Sequence, residues 1–257
     1  MKKILIIPDR NDLRNTFALQ KEYNLGFEYN DFFMPDILDD IETQDKIIKE
    51  YNLHNLPEYT TMHGAFFDVT PISIDEKIKE ISLLRINQSI SVARKIGAKA
   101  IVFHTNYNPF LNTEEYIKDF VKQNVLFWRE ILSGNKDINI YLENMFDCDP
   151  FVIKQIAEGL KSNDNFGVCL DWAHASISKI KPSEWAKDLG EYTKHVHIND
   201  NDLISDLHSA WGNGKVDRFS FYECYEKYFN NATILIETNS FENKKKSLEQ
   251  LKRDKFI

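Results

Sequence analysis

Phe166-Gly167-Val168-Cys169-Leu170-Asp171 is a six-residue run that is apolar except for its final acid. A continuous apolar run of this length is typical of a strand that is buried on both faces, as in a parallel sheet covered by helices. The chain then continues with Trp172-Ala173-His174, where Asp171 can cap the N-terminus of a helix. The stretch therefore predicts a strand that ends on an acid and turns directly into a helix.

The same alternation of a short β-rich run and a longer run of helical period recurs along the chain. Eight strand–helix units can be marked in this way. The candidate strands are Lys3–Pro8, Leu25–Tyr29, Tyr59–His63, Ala100–His104, Ile138–Glu143, Phe166–Asp171, Lys194–Asn199 and Thr233–Glu237.

Helix start and stop signals stand between the candidate strands. Capping-box pairs, a cap residue before proline, a helix-opening proline and a terminal glycine all occur where a helix is expected to begin or end. These signals are Ser73 with Glu76, Asn112 with Glu115, Asp149-Pro150, Pro182 and Gly97.

Eight such units predict an α/β protein built as a single (β/α)8 TIM barrel over residues 1–257. An open, doubly wound sheet has the same alternation, but the count of eight favours the closed barrel. No GxGxxG or GxxxxGK[ST] pattern follows any candidate strand. The usual fingerprints of a Rossmann or P-loop nucleotide site are therefore missing.

Composition limits the cellular setting and the partners that we expect. The net charge of −8 argues against broad electrostatic capture of nucleic acid. Cys148, Cys169 and Cys224 are too few and too widely spaced for a disulfide framework or a cysteine zinc site. The apolar run near the N-terminus is too short to span a membrane. These features predict a cytoplasmic protein with no membrane partner.

Strands three to eight all end on residues that can bind a metal ion. In a barrel the C-terminal ends of the strands meet at one face, where active sites are built. Six ligand-type side chains from distant parts of the chain are therefore expected to converge there. They are His63, His104, Glu143, Asp171, His197 and Glu237.

Three further donors lie in the loops that follow the strands. His174 comes three residues after Asp171, and Asp206 and His208 stand two apart in the loop after strand seven. That spacing puts both side chains on one side of an extended segment. All nine donors are nitrogen or oxygen atoms, a set that suits zinc, manganese or iron better than calcium or magnesium. We expect a divalent metal, zinc or manganese, at this site.

Other residues near these positions have less specific interpretations. His195 and Cys169 are assigned to the barrel interior rather than to the metal. Trp211 can be a packing residue or a platform for substrate, and the sequence favours neither. Lys215, beside two glycines, is a candidate for binding an anionic substrate group, although a solvated lysine is the simpler interpretation.

At these residues the sequence resembles the xylose isomerase-like barrel superfamily, which includes sugar phosphate isomerases and epimerases and endonuclease IV (AP endonuclease family 2). The resemblance runs from strand three to strand eight. The segments that carry it are Met62–Asp68, Val102–Thr105, Tyr141–Asn144, Gly167–His174, His195–Asp202, Asp206–His208, Gly212–Gly214 and Ile234–Thr238.

The resemblance implies two possible ligand sets at the barrel mouth. The sugar epimerases of the superfamily hold one metal with four ligands, which correspond by position to Glu143, Asp171, His197 and Glu237. The endonucleases hold three metals with nine ligands. By position these are His63, His104, Glu143, Asp171, His174, His197, Asp206, His208 and Glu237. The chain therefore has the complete set for two or three metals.

The leading hypothesis for function is isomerisation or epimerisation of a sugar or sugar phosphate, a small carbohydrate substrate. The metal would chelate a carbonyl and a neighbouring hydroxyl and stabilise the enediolate that forms on proton loss. Glu143 and Glu237 would flank the reacting carbon, one removing the proton and the other returning it.

Two alternatives remain open from the sequence. One is an endonuclease IV-like zinc phosphodiesterase acting on abasic DNA, which the nine ligands favour. Against it, Ala175–Ser178 replaces the Gly-Tyr-Asp of the endonuclease pattern, and the net negative charge of the chain disfavours binding to nucleic acid. The other alternative is a non-catalytic barrel that binds a sugar or a metal.

Overall fold

The predicted strands form a closed barrel of eight parallel strands in the computed structural model, which describes residues 2–66 and 68–257. Each strand pairs with the next along the chain, and the last pairs with the first, with Ile234 opposite Ile4. The strands are β1 (Ile4–Ile6), β2 (Gly26–Tyr29), β3 (Thr60–His63), β4 (Ala100–His104), β5 (Asn139–Glu143), β6 (Phe166–Asp171), β7 (Thr193–Ile198) and β8 (Thr233–Ile236). The (β/α)8 TIM barrel is confirmed, and an open sheet is excluded.

Strand bounds agree with the sequence prediction to within one or two residues. β4 and β6 have the predicted bounds. β1 shows the largest difference, because it ends at Ile6 rather than at Pro8. Proline has no backbone N–H and cannot donate to a strand ladder, which is consistent with the earlier end of this strand. Phe67, within the segment Met62–Asp68 that carries the resemblance, lies outside the described residues.

Helices cover the outside of the barrel. A short 3-10 turn at Arg10–Asp12 precedes the first of them. The α-helices of the described residues are α1 (Leu13–Tyr23), α2 (Pro35–Asp39), α3 (Ile41–Asn52), α4 (Glu76–Ile96), α5 (Glu114–Gly134), α6 (Phe151–Leu160), α7 (Trp172–Ile177), α8 (Pro182–Leu189), α9 (Arg218–Tyr228) and α10 (Phe241–Arg253).

For α4 and α5 the predicted N-cap residue was wrong, although each helix begins close to the predicted position. The cap of α4 is Asp75, whose side chain accepts a hydrogen bond from the backbone of Lys77. Ser73 accepts a hydrogen bond from the backbone of Asp75 instead, and so belongs to the preceding turn. The cap of α5 is Thr113 rather than Asn112. In both cases two residues able to cap stand close together, and the backbone path selects between them.

Two other helix signals are found where the sequence places them, whereas the N-cap of α6 is Pro150 rather than the predicted Asp149. α8 begins at Pro182, and Gly97 ends α4 in the left-handed conformation with φ of 78°. Asp149 accepts a hydrogen bond from the backbone of Phe151, the first residue of α6, at 2.9 Å. Proline at the start and glycine at the end of a helix fit the backbone conformations required there.

Side chains along each strand alternate between the helix layer and the barrel interior. On β4, Ile101 and Phe103 belong to the large core between the barrel and the helices. Ala100 and Val102 belong to a separate cluster inside the barrel. His104 follows Val102 by two positions and therefore points inward at the C-terminal end of the strand. The last inward-facing residue of a strand is thus a side chain at the barrel mouth.

Among the helices that the structure describes, none combines the length and the apolar composition needed to cross a lipid bilayer.

Gly97 and Gly134 offer a matched test of the helix ends. A Cβ atom would meet no other atom within 4 Å at either position, but only Gly97 has a positive φ. Gly97→Ala should lower the free energy of unfolding by about 1 kcal/mol, because alanine is strained in the left-handed region. Gly134→Ala should raise it by about 0.5 kcal/mol. Urea unfolding midpoints measure both changes, and shifts in the same direction would contradict this assignment.

Candidate metal centre at the barrel mouth

Six inward-facing side chains form the floor of the barrel mouth. Each is buried, with an exposed fraction of 8% or less. Each follows another inward-facing residue by two positions, as Glu143 follows Tyr141. Barrel closure therefore brings together donors that are far apart in sequence, at the positions that the sequence indicates. They are His63, His104, Glu143, Asp171, His197 and Glu237.

Glu143 lies at the centre of this group. Its Oε2 atom is 3.6 Å from Nε2 of His63 and 3.5 Å from Nε2 of His104, and these two nitrogens are 3.2 Å apart. Its Oε1 atom is 3.4 Å from Nδ1 of His197. One carboxylate thus joins two compact groups of potential ligands. The first consists of His63, His104 and Glu143, and the second of Glu143, Asp171 and His197.

Three loop residues extend the group towards solvent. Oδ2 of Asp206 lies 3.3 Å from Nε2 of His174 and 2.8 Å from Nε2 of His208. Nδ1 of His174 is 3.6 Å from Oε1 of Glu143, and Nδ1 of His208 is 3.7 Å from Oε2 of Glu237. The structure therefore gathers all nine predicted ligands into one continuous cluster, a donor set large enough for more than one cation.

Backbone carbonyls hold three of the imidazoles. Nδ1 of His63 lies 3.0 Å from the carbonyl oxygen of the next residue. The corresponding distance is 2.9 Å from His174 to Asn144 and 3.0 Å from His208 to Glu237. Because a carbonyl oxygen can only accept, Nδ1 carries the proton, and Nε2 of the neutral ring is left as a metal ligand.

A buried carboxylate on β2 performs the same role for the fourth imidazole. Oε1 of Glu28 is 3.2 Å from Nε2 of His197. Its Oε2 accepts a hydrogen bond from Thr61 at 2.6 Å and lies 3.0 Å from Nε2 of His195. Burial raises the pKa of Glu28, but His197 and His195 outweigh burial and hold that pKa below its ordinary range. The ionised carboxylate keeps the proton of His197 on Nε2, so that Nδ1 faces Glu143 as a potential ligand.

Glu28 is not among the ligands that the sequence predicts. Those ligands begin at the end of strand three, whereas Glu28 lies one residue before the end of β2. An acid inside the otherwise apolar and aromatic run Leu25–Tyr29 is the signal that could have identified it. Its partners on other strands become visible only once the barrel is closed.

Asn144 fixes the position of Asp171. The side-chain amide of Asn144 donates to the carbonyl oxygen of Asp171 at 3.1 Å, and the backbone N–H of Asp171 donates back to Oδ1 of Asn144 at 2.9 Å. Oδ1 of Asp171 caps α7 by accepting from the backbone of His174 at 2.6 Å. The carboxylate is thus held by one oxygen, and the other oxygen remains for the cluster.

A third group of close donors, Cys169, His195 and His197, lies deeper in the barrel. Both ring nitrogens of His195 already have partners, since Nδ1 is 2.5 Å from Oγ1 of Thr233 and Nε2 is 3.0 Å from Glu28. Burial raises the pKa of the Cys169 thiol, which disfavours the thiolate that a metal requires. His195 and Cys169 therefore fit the interior positions that the sequence assigns to them.

The cluster has the chemistry of a site for divalent cations. Among the described residues, Oε2 of Glu143, Oδ2 of Asp171 and Oε2 of Glu237 are buried and have no hydrogen-bond partner. Burial raises the pKa of Asp171 to about 7, and the neighbouring carboxylates of Glu237 and Glu143 act in the same direction. Buried carboxylates without compensation carry a large desolvation cost. Divalent cations would offset that cost, and the mixed imidazole and carboxylate donors fit zinc or manganese.

The two candidate substrate residues contact residues outside this cluster. Trp211 is 1% exposed, and its indole N–H donates to Tyr222 at 2.9 Å. It packs against Phe221 in the core around the barrel, so its placement fits the packing interpretation. The side chain of Lys215 is exposed, and its backbone N–H donates to Asn201. Neither placement supports a direct role in binding substrate.

Comparisons with known proteins agree with this fold. The chain is 27% identical to the uncharacterized protein MJ1311 of Methanocaldococcus jannaschii over 202 residues, which cover 74% of this chain and 68% of that protein. It is 26% identical to a probable endonuclease 4 of Ureaplasma urealyticum serovar 10 over 222 residues, which cover 77% of this chain and 72% of that protein.

Two solved structures share the fold over nearly the whole chain. One is the TTHB071 protein of Thermus thermophilus soaked with zinc chloride, with a TM-score of 0.76, 20% identity, and coverage of 98% of this chain and 97% of that chain. The other is a D-tagatose 3-epimerase-like protein, with a TM-score of 0.76, 22% identity, and coverage of 98% and 96% respectively. At these identities the likeness establishes the fold alone.

Fold and site together define a (β/α)8 barrel with a cluster of imidazole and carboxylate ligands at its C-terminal mouth. The family model described as xylose isomerase-like TIM barrel matches residues 19–253. The chain belongs to this family.

Glu28→Gln tests the link between Glu28 and His197. The neutral amide lacks the negative charge that favours the proton on Nε2 of His197, and its NH2 group can donate to that nitrogen, which shifts the imidazole proton to Nδ1, the nitrogen that faces the cluster. Metal affinity should fall by about 10- to 100-fold, as is typical when the residue that orients a histidine ligand is lost. Competition with a chelator measures this affinity.

Thr61→Val is the matched control for this substitution, because it removes a hydrogen bond to the same carboxylate without changing the charge beside His197. It should weaken metal binding much less. Circular dichroism checks that both variants are folded. Equal metal affinity in the folded Glu28→Gln variant and the wild type would show that Glu28 does not orient His197.

Proposed function

We propose that this protein is a metal-dependent isomerase or epimerase that acts on a sugar, a sugar phosphate or a related polyol. Membership of the xylose isomerase-like family supports this reaction class, as does the shared fold with a D-tagatose 3-epimerase-like protein. The cluster at the barrel mouth supplies the groups that proton transfer next to a carbonyl requires.

The observation that carries the proposal is a pair of buried carboxylates close to one imidazole nitrogen. Nδ1 of His197 is 3.4 Å from Oε1 of Glu143 and 3.6 Å from Oε2 of Glu237. Burial raises the pKa of both glutamates, but the neighbouring histidines outweigh it, so each pKa lies below its ordinary value. Both groups are therefore ionised at neutral pH and can accept a proton.

Glu143, Asp171, His197 and Glu237 would hold a divalent cation, zinc or manganese, and the remaining donors of the cluster would hold up to two more. A cation bound there supplies positive charge that stabilises negative charge developing on substrate oxygens.

The two glutamates differ in what else they contact. Glu143 is 1% exposed and faces His63, His104, His174 and His197, whereas Glu237 is 8% exposed and faces His197 and His208. Glu237 is therefore the better placed to take a proton from a substrate carbon on its Oε2 atom. Return of that proton to the adjacent carbon gives an isomer. Epimerisation instead requires a proton on the opposite face of the same carbon; Glu143 would donate it after taking up a proton from solvent, and Glu237 would then release its own proton to solvent.

Hydrogen exchange in deuterated water tests the proposal. The metal-loaded protein should catalyse exchange at a carbon next to the carbonyl of at least one ketose in a broad panel. Glu237→Gln should slow this exchange by at least about 100-fold, because it removes a general base. Glu80→Gln, the same change at an exposed position of α4, is the matched control and should leave the rate unchanged.

Absence of exchange at every carbon across the panel would count heavily against an isomerase or epimerase. Tight and saturable binding of a sugar without exchange would then favour a non-catalytic binding barrel.

A second candidate function is phosphodiester hydrolysis at abasic DNA. The specific observation in its favour is that His174, Asp206 and His208 join the inner six donors, which gives the larger ligand set. The similarity to a probable endonuclease 4 supports the same reaction. The net charge of −8 disfavours it, because binding to DNA is dominated by contacts of basic residues with phosphate.

An oligonucleotide with a single abasic site separates the two functions. A zinc-loaded phosphodiesterase should cut it at micromolar protein concentration. Under the leading proposal the oligonucleotide stays intact while the ketose exchanges. Elemental analysis of the purified protein adds to this test, since one metal ion per chain favours a sugar epimerase and two or three favour the hydrolase.

A further inference from the structure

A large cavity opens directly beside the candidate metal centre. Its volume is about 700 Å³, and His174 and Asp206 form part of its wall. The rest of the wall comes from the loops that follow β4, β5, β6 and β7. A cavity of this size is in the range that encloses a drug-sized ligand. A molecule bound at the metal centre can therefore extend into it without a change in the barrel.

Most of the wall of this cavity is apolar. The apolar and aromatic side chains are Tyr107, Phe110, Met145, Phe146, Ile177 and Ile204. Three of them are largely exposed to solvent, with fractions of 91% for Phe110, 61% for Phe146 and 75% for Ile204. Exposed apolar groups that line one concave surface commonly mark a binding site, because a ligand that covers them removes apolar area from water.

Three polar side chains of the wall are already engaged by the protein, whereas Lys179 is exposed to solvent. The amide of Asn106 donates to the carbonyl oxygen of Val69 at 2.6 Å, and Oδ1 of Asn108 accepts from the backbone of Phe110 at 3.1 Å. Oγ of Ser178 accepts from the indole of Trp185 at 3.0 Å. The hydroxyl groups of a bare sugar would therefore find few partners along the apolar part of this wall, and each unpaired hydroxyl would carry a cost.

Resting on the function proposed above, we propose that the substrate carries an apolar arm of aryl or branched alkyl type. Its polyol portion lies at the candidate metal centre, and the arm occupies the cavity beside it. The substrate class is thus a polyol or sugar derivative with a hydrophobic substituent rather than a free monosaccharide. The arm contributes affinity by covering Phe110, Phe146 and Ile204, whereas the oxygen atoms of the polyol contact the cluster.

A series of hydroxamates tests the arm without knowledge of the sugar. Acetohydroxamate carries only the metal-chelating head, 4-phenylbutyrohydroxamate adds an aromatic arm, and 4-hydroxybutyrohydroxamate adds a short polar arm. Titration calorimetry with the zinc-loaded protein should give a Kd for the phenyl compound at least about tenfold lower than for acetohydroxamate, because the ring is buried. The polar arm should give no such gain.

The double variant Phe146→Ser/Ile204→Ser removes two exposed parts of the wall. The ratio of the two Kd values should fall to about threefold or less, because less apolar area is covered. Leu53→Ser is the matched control, since Leu53 is 77% exposed and lies at the end of α3, outside the cavity wall. It should keep the wild-type ratio.

Equal affinity for the phenyl compound and acetohydroxamate would contradict the proposal of an apolar arm and leave the proposed function standing. A double variant that keeps the full gain in affinity would have the same consequence. So would sedimentation that shows a second copy of the chain covering the cavity, if the double variant abolishes this association. If acetohydroxamate itself does not bind to zinc-loaded protein, the proposed metal centre and the apolar arm both fail.

Discussion

The arrangement of the barrel mouth depends on the cost of burying the carboxylate of Glu143. The side chain is 1% exposed, and loss of hydration by itself raises the pKa of a carboxyl group. His197 on β7 and His104 on β4 reverse that effect, and His197 is in turn held by Glu28. The charge of the Glu143 carboxylate therefore requires oriented imidazoles around it. These imidazoles in turn require acceptors that hold their other ring nitrogens. Removal of one partner would leave a buried charge without compensation, which is the costly state.

Most of this site could be predicted from the sequence because a closed barrel converts sequence position into spatial position. The last inward-facing residue of a strand lies at the mouth whatever the details of packing, which is why His104 and Asp171 could be located without a structure. Glu28 could not be located in this way. Its role follows from its distances to His195 and His197 on β7, a strand that is not adjacent to β2 in the barrel. The helix caps failed for a local reason, since neighbouring residues such as Ser73 and Asp75 can both cap and the backbone path decides.

The same nine donors can support proton transfer in a sugar or attack of water on a phosphodiester, so the ligands alone do not select the reaction. The residues around the ligands distinguish better between the two reactions. Capture of a DNA backbone requires basic side chains around the cluster. On one side, the rim instead consists mainly of exposed apolar groups such as Phe110, Phe146 and Ile204, with Lys179 as a single lysine among them. A small uncharged or weakly charged ligand matches this surface better than a polyanion does.

The apolar wall also affects the chemistry of the cluster that it borders. Interactions between charges strengthen as water is excluded, because the local dielectric constant falls. His174 and Asp206 belong both to the cluster and to the cavity wall, so a ligand arm that fills the cavity removes water next to charged groups of the site. Covering the wall thus strengthens the electrostatic interactions on which proton transfer depends. The polar network below the cluster fixes the orientation of its ligands, and the apolar surface beside it controls its access to water. The polar network and the apolar surface therefore both affect the carboxylates of the cluster.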